Sequence, residues 1–145
     1  MARIKIDLPL HFAFSTEIKV RVSDINYGGH LSNDALLSIL HDARLQYLQS
    51  LGYTELQLGG SSLIMADVAI EYKGEGFLGD ILTIQISPAD FNKYGFDLLY
   101  QVTNQNQKVI AHAKTGMLCF SYDSRKVMSV PAEIRSKVEA GISAK

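Results

Sequence analysis

Polar and glycine residues are concentrated at positions 24–33, just before a long segment with helical apolar spacing. Asp24, Asn26 and His30 lie in this stretch, and their side chains can supply acid, amide and base chemistry. A helix that begins here would add unpaired backbone N–H groups and a partial positive charge. Two consecutive glycines would let the backbone approach a ligand closely. The pattern therefore predicts a site for an oxyanion or a polarised carbonyl.

The same residue types also occur at helix starts that have no function. Asn, Asp and Ser commonly cap helices and form turns, so spacing alone leaves both interpretations open. The histidines have no metal-ligand spacing, and Cys119 lies in an apolar run, so we expect neither a metal site nor a cysteine nucleophile. We interpret His41, Asp42, Arg44 and His112 as structural.

Apolar spacing predicts the helix that positions this stretch. Residues spaced by four, three, four and four positions form one stripe: Leu36, Leu40, Ala43, Tyr47 and Leu51. Gly52 stands where a C-terminal cap residue belongs. The segment is too apolar for a surface helix. We therefore expect a central helix wrapped by the rest of the chain.

Alternating apolar residues predict the strands. They lie at residues 12–22, 62–73, 81–86, 94–103 and 109–122. Residues 1–10 are expected to form a loose arm, Pro88 to close the third strand, and Pro131 to begin a helix at 132–140. The turn at 74–80, GEGFLGD, joins two strands with no helix after it, so we interpret it as turn chemistry. The order β-α-β-β-β-β-α predicts an α+β fold, an antiparallel sheet curled around one helix.

Composition limits the class of protein. A chain of 145 residues is expected to form a single domain, 1–145. The net charge of −1 gives no basic surface for nucleic acid. We expect no membrane span, because no window holds about 18 consecutive apolar residues. No signal-peptide pattern opens the chain, so we expect a cytoplasmic protein. We predict no cofactor.

Three stretches, in this order, resemble the hotdog-fold acyl-CoA thioesterases, the 4-hydroxybenzoyl-CoA thioesterase-like group. They are VRVSDINYGGHLSNDALLSILHDARLQYL, IEYKGEGFLGDILTI and FSYDSRKVMSVPAEIR. The first resembles the family pattern D-x-D-x-x-G-H-x-x-N followed by an acidic residue, Ala and Arg, here Asp42, Ala43 and Arg44. The second resembles its Tyr…Gly-Asp-x-Leu hairpin, and the third its closing strand, turn and proline-led helix.

The resemblance implies a homodimer or a tetramer of dimers that acts on acyl-CoA or acyl-carrier-protein thioesters. The site would lie between the helix N-terminus of one chain and the sheet of the other. The carbonyl would sit on amides near Gly29, His30 and Leu31. Tyr27, Gly28 and Asn33 would also contact substrate. Candidate cations for the coenzyme A phosphates are Lys73, Lys93, Arg125 and Lys126.

One position departs from the family. The usual catalytic carboxylate is the second acidic residue of the motif, and Asn26 stands there. Asparagine can hold a water or a carbonyl, but it is neither a nucleophile nor a base. Asp24 would share its strand face and reach the same cleft. Asp67 or Glu71 of the partner subunit are the other candidates.

The resulting prediction is thioester hydrolysis. Asp24 acts as base or nucleophile, Asn26 holds water or substrate, and His30 shapes the pocket. The first alternative is a non-catalytic acyl-thioester-binding protein that has lost the carboxylate. A hotdog dehydratase is a weaker alternative, because only His41 and Asp42 match its histidine and acid on the helix.

Overall fold

The fold consists of one antiparallel sheet and two helices, in a computed structural model that describes residues 3–143. The elements are β1 (Phe14–Lys19), a 3-10 turn (Val22–Asp24), α1 (Asn33–Ser50), β2 (Ser62–Tyr72), β3 (Ile81–Ala89), β4 (Gly95–Thr103), β5 (Val109–Ser121), β6 (Lys126–Val127) and α2 (Ala132–Ser143). The strand order is β1-β3-β4-β5-β2, with the short β6 on β5. The predicted α+β hotdog fold is confirmed, and β6 is an addition to it.

Helix α1 packs its apolar stripe against one face of the sheet. Ser32 is its N-cap, and the Ser32 hydroxyl accepts the Ala35 N–H at 3.3 Å. Leu36, Leu40 and Ala43 are buried as predicted, and each leucine stabilises the fold by roughly 1.5–3 kcal/mol. The helix ends before Gly52, whose φ of 90° is the left-handed conformation that glycine adopts most easily.

Several predicted boundaries were wrong. Strand β1 begins at Phe14 instead of residue 12, and α2 continues to Ser143 instead of ending at residue 140. Strand β1 ends at Lys19 instead of residue 22, because Val22 begins a 3-10 turn and is 73% exposed. Strand β3 continues through Pro88 to Ala89. Its β1 partner ends opposite Ile86, so β3 pairs on one side only beyond that point, which is where a strand tolerates proline.

The predicted loose arm lies against the sheet in its described part. The Ile6 N–H donates to the Glu71 carboxylate at 2.6 Å. Residues 1 and 2 fall outside the described chain. The arm thus packs on the end of β2 that leads to the β2–β3 turn.

Strand β2 forms one edge of the sheet and carries exposed apolar side chains. Met65, Val68 and Tyr72 are 41%, 39% and 52% exposed. They pair with Met117, Thr115 and Ala111 of β5, which are buried. Because directly opposed residues share a face, this inner apolar surface continues past the area that α1 covers.

Candidate active site

A cleft of about 450 Å³ opens at the N-terminus of α1, between the 26–33 loop and the β2–β3 turn. The structure brings most of the predicted site residues together here: Asn26, Tyr27, Gly28, His30, Leu31 and Asn33. Leu36 and Ile110 add apolar surface, and the turn contributes Glu75. The cleft therefore combines an apolar wall with polar groups at a helix N-terminus.

Asn26 organises the loop. Its side-chain Oδ1 accepts the backbone N–H of Gly28 at 2.9 Å and that of His30 at 3.3 Å. Gly29 completes the turn with φ 84°, a conformation that costs glycine little. With Oδ1 occupied, the Asn26 NH₂ group remains as a hydrogen-bond donor at the cleft.

The predicted carbonyl-binding amides are already engaged. Gly29 N–H donates to the Asn26 carbonyl, His30 N–H to Asn26 Oδ1, and Leu31 N–H to the Gly76 carbonyl at 2.8 Å. Within residues 3–143, the first-turn amides of Asn33 and Asp34 have no acceptor. An oxyanion would therefore bind the free amides of the first turn of α1 more readily than the amides of the preceding loop.

His30 contacts a carboxylate from the opposite wall of the cleft. Its Nδ1 lies 3.1 Å from Glu75 Oε1, and its ring tilts against Phe77 at 5.1 Å between centroids. In the described chain, Glu75 is the one acidic residue among those that line the cleft. Sequence reasoning assigned the turn that carries Glu75 to turn chemistry alone and missed this contact.

A sequence model of the thioesterase-like superfamily matches residues 20–138. The chain belongs to this superfamily. Two curated relatives agree with the assignment. The long-chain acyl-CoA thioesterase FadM of Escherichia coli is 25% identical over 126 residues, 86% of this chain and 96% of that protein. The 1,4-dihydroxy-2-naphthoyl-CoA hydrolase of Crocosphaera subtropica is 30% identical over 129 residues, 86% of this chain and 87% of that protein. The predicted family is confirmed.

Solved structures confirm the superfamily fold. A Thermus thermophilus thioesterase complexed with coenzyme A and zinc aligns with a TM-score of 0.81 and 21% identity, over 91% of this chain and 96% of that one. A Synechocystis 1,4-dihydroxy-2-naphthoyl-CoA thioesterase aligns with a TM-score of 0.78 and 19% identity, over 86% and 94% of the two chains. In residues 3–143 of this superfamily member, no three His, Cys, Asp or Glu side chains converge on a metal position. No helix there is long and apolar enough to cross a membrane.

Asp24 lies outside the cleft of this superfamily member. Its carboxylate is buried and accepts the Arg21 N–H at 2.9 Å. It lines a separate depression with Arg21 and Asp42. The expectation that it shares a face with Asn26 required an extended strand, whereas the chain forms a 3-10 turn at Val22–Asp24. The structure therefore places Asp24 as a cap of this turn.

Arg44, the last residue of the Asp42-Ala43-Arg44 segment, has a structural role here. Arg44 is buried and donates to Glu55 at 2.9 Å and to the Tyr100 hydroxyl at 3.3 Å. The Tyr100 hydroxyl also bonds Thr115 at 2.7 Å, and His41 contacts Glu55 at 2.7 Å. Burial would raise the pKa of Glu55, but the hydrogen bonds from Arg44 and His41 outweigh it and hold the pKa below its usual value. This network ties α1 to the sheet, as expected for Arg44.

Asp67 and Glu71 lie away from the cleft of their own chain. Asp67 accepts from Lys114 and from the Gly116 N–H, and Glu71 accepts from the Ile6 N–H. Neither lines the cleft in the described residues. Each therefore has a structural contact in its own protomer.

Of the predicted phosphate-binding cations, Lys73 comes directly after the cleft residue Tyr72 but does not line the cleft. Its Nζ lies 3.6 Å from Glu71 Oε2, and it lines separate depressions with Arg3 and Ile4. Lys108 is a second cation near the cleft, and sequence reasoning missed it. Its side chain would lie 3.2 Å from a Cβ added at Gly74, which lines the cleft. Lys93 and the Arg125–Lys126 turn are near the opposite end of the sheet.

Proposed function

We propose that this chain hydrolyses an acyl thioester of coenzyme A at the cleft beside the α1 N-terminus. The observation that carries the proposal is the cleft itself, where Asn26, His30 and Asn33, whose first-turn amide is unpaired, meet in a member of the thioesterase-like superfamily. The two curated relatives bear names for hydrolysis of a coenzyme A thioester, which supports the same class of reaction for this chain.

The reaction requires stabilisation of an oxyanion. Water adds to the thioester carbonyl, the carbonyl oxygen takes up negative charge, the C–S bond breaks, and the thiolate receives a proton. The helix-end amides and the Asn26 NH₂ group are the donors available for that oxygen. No step needs a metal or a redox cofactor.

The walls of the cleft indicate the class of substrate. Leu31, Leu36 and Ile110 form an apolar surface suited to an acyl group. Lys108 lies beside the lining residue Gly74, where it could pair with phosphates of coenzyme A. A carrier-protein thioester has the same reacting group, so comparison of the two donors belongs in the first assays.

We further propose a homodimer formed by antiparallel pairing of two β2 edges. This arrangement would pair the exposed edge and cover the apolar Met65, Val68 and Tyr72. Antiparallel pairing would bring the start of β2 of the partner subunit next to the end of this β2, where Tyr72 lines the cleft. The partner would then complete the open side of the site. Pairing of dimers into tetramers and a cytoplasmic location stay predictions.

The proposed activity is tested by thiol release measured with Ellman's reagent. The substrates are short, medium, long and aromatic acyl-CoAs, each beside the same thioester on a carrier protein. Release above the spontaneous rate with at least one donor is the expected result. Absence of release with every donor would contradict the proposal.

A second candidate function is acyl-thioester binding without hydrolysis. Asn26 favours it, because the residue stands at the family's usual carboxylate position. Calorimetry with a non-hydrolysable thioether analogue separates the two. Binding of the analogue with no thiol release from the matching thioester would favour the binder.

A further inference from the structure

The β2–β3 turn is docked against the 26–33 loop. Leu31 N–H donates to the Gly76 carbonyl at 2.8 Å, and His30 and Phe77 form an isolated antiparallel bridge. A Cβ at Gly76 would lie 2.9 Å from Leu31 Cβ, so the contact requires glycine at this position. Two separate parts of the chain therefore meet along a short ladder at the cleft.

Asp80 fixes the same turn from its other end. Its carboxylate accepts the Phe77 N–H at 3.0 Å and the Gln105 side-chain amide at 3.0 Å. Its carbonyl accepts the Val20 N–H at 2.8 Å. The turn is thus tied to the end of β1 and to the β4–β5 hairpin, which limits its freedom to move relative to the cleft.

This docking holds Glu75 beside His30. The carboxylate lies 3.1 Å from Nδ1, and the Phe77 ring packs against the imidazole. A neutral histidine that donates from Nδ1 presents Nε2 as an acceptor. In the described chain, Nε2 of His30 has no partner. The imidazole is therefore oriented, with one nitrogen available for a proton.

We propose that His30 is the general base for the attacking water and that Glu75 positions it, in place of the carboxylate missing at position 26. This inference rests on the proposed function. His30 Nε2 takes a proton as the water oxygen bonds to the carbonyl carbon, and Glu75 stabilises the imidazolium that forms. When the C–S bond breaks, the imidazolium returns that proton to the thiolate. The products are the free acid and the thiol.

A positioning role can be separated from a plain surface ion pair by experiment. His30 and Glu75 are 41% and 65% exposed in their side chains, so their attraction is screened and adds little to folding stability. A structural role would thus leave only a small effect on the melting temperature when Glu75 is changed. A positioning role affects turnover instead, and the two can be separated.

The test compares Glu75→Gln, Glu75→Asp, His30→Gln and the control Glu17→Gln in the thiol-release assay. Glu17 is an exposed carboxylate on β1, outside the cleft. We expect His30→Gln to lower kcat by about 10²- to 10⁴-fold, the usual contribution of a general base. For Glu75→Gln we expect a fall of roughly 10- to 100-fold. This is below the roughly 10⁴-fold effect of a buried orienting carboxylate, because Glu75 is exposed and screened.

Three further readouts accompany kcat. The KM of the Glu75→Gln variant stays within about threefold of wild type, its melting temperature is unchanged, and Glu75→Asp regains part of the lost kcat. A wild-type kcat in Glu75→Gln or in His30→Gln would overturn the inference while leaving thioester hydrolysis in place. An inactive wild-type protein would instead overturn the proposed function, and this inference with it.

Discussion

Asn26 Oδ1 accepts the backbone N–H of His30 at 3.3 Å, so the residue at the missing carboxylate position shapes the loop that carries the candidate base. An aspartate could make the same hydrogen bond through one oxygen. It would then present a second, negatively charged oxygen where Asn26 presents an NH₂ group. The substitution of Asn for Asp therefore changes the chemistry of the cleft while keeping its loop geometry.

The variant Asn26→Asp tests this distinction. We expect the fold to persist and kcat to fall by about tenfold or more, because a donor is lost and a negative charge is placed near the developing oxyanion. Steady-state thiol release and a thermal melt measure the two effects. A large gain in kcat would mean that the site lacks only its carboxylate and would contradict a role for the Asn26 amide.

Gly76→Ala tests the docking of the β2–β3 turn. The added Cβ would press against Leu31 and displace the turn, and a displacement of about 1 Å can reduce kcat by up to about 10²-fold. Gly141→Ala in α2 is the control, because its Cβ would meet its nearest atom at an ordinary 3.8 Å. The control keeps full activity. Equal activity in both variants would show that the turn's position is unimportant.

Replacing tyrosine by phenylalanine should change the free energy of unfolding in opposite directions at two buried positions. The buried Tyr47 hydroxyl has no hydrogen-bond partner in the described chain, whereas the Tyr100 hydroxyl bonds Arg44 and Thr115. Tyr47→Phe should raise the free energy of unfolding by about 1 kcal/mol, and Tyr100→Phe should lower it by about 1–3 kcal/mol. Urea unfolding at one protein concentration measures both. The same sign for both variants would contradict this account of the hydroxyls.

Protonation of Glu55 is expected to reduce the stability of the folded protein in acid. Burial opposes ionisation, but Arg44 and His41 outweigh it and lower the pKa of Glu55 in the folded protein. A carboxylate with a lowered folded pKa contributes stability above its unfolded pKa of about 4.3, and this contribution is lost as pH falls through the folded pKa. The free energy of unfolding should therefore fall below about pH 4.3 more steeply in wild type than in Glu55→Gln. Parallel pH profiles would exclude this contribution.

The exposed edge of β2 predicts dimerisation. Val68→Lys places a charge on the apolar surface that the partner would cover, and we expect a monomer with reduced thiol release. Val22→Lys, at an exposed apolar residue outside β2, should stay a dimer. Light scattering coupled to size exclusion gives the mass. A Val68→Lys dimer with full activity would contradict pairing through β2.

The order and faces of the elements could be predicted from the sequence because periodicity reports burial directly. The stripe from Leu36 to Tyr47 and the alternation of Phe96, Leu98 and Tyr100 are buried as expected. The end of β1 was missed because apolar alternation continues to Val22, although the Asp24 carboxylate caps a 3-10 turn there. Local hydrogen bonding overrode the apolar pattern.

The candidate site was predictable in part. The loop at 26–33 could be located because polar residues and glycines before a helix have a known chemistry. The contact between His30 and Glu75 joins residues from two loops, and only the docking of the β2–β3 turn brings them together. A single acidic residue between two glycines was the available signal, and it also fits an ordinary turn.

The most direct test of the account is a time course of thiol and free acid from one acyl-CoA with wild-type protein, beside Glu75→Gln. Wild-type protein should release equimolar thiol and acid over many turnovers, at a rate at least tenfold above that of the variant. Acyl-CoA that binds to the wild-type protein and remains intact would contradict this prediction.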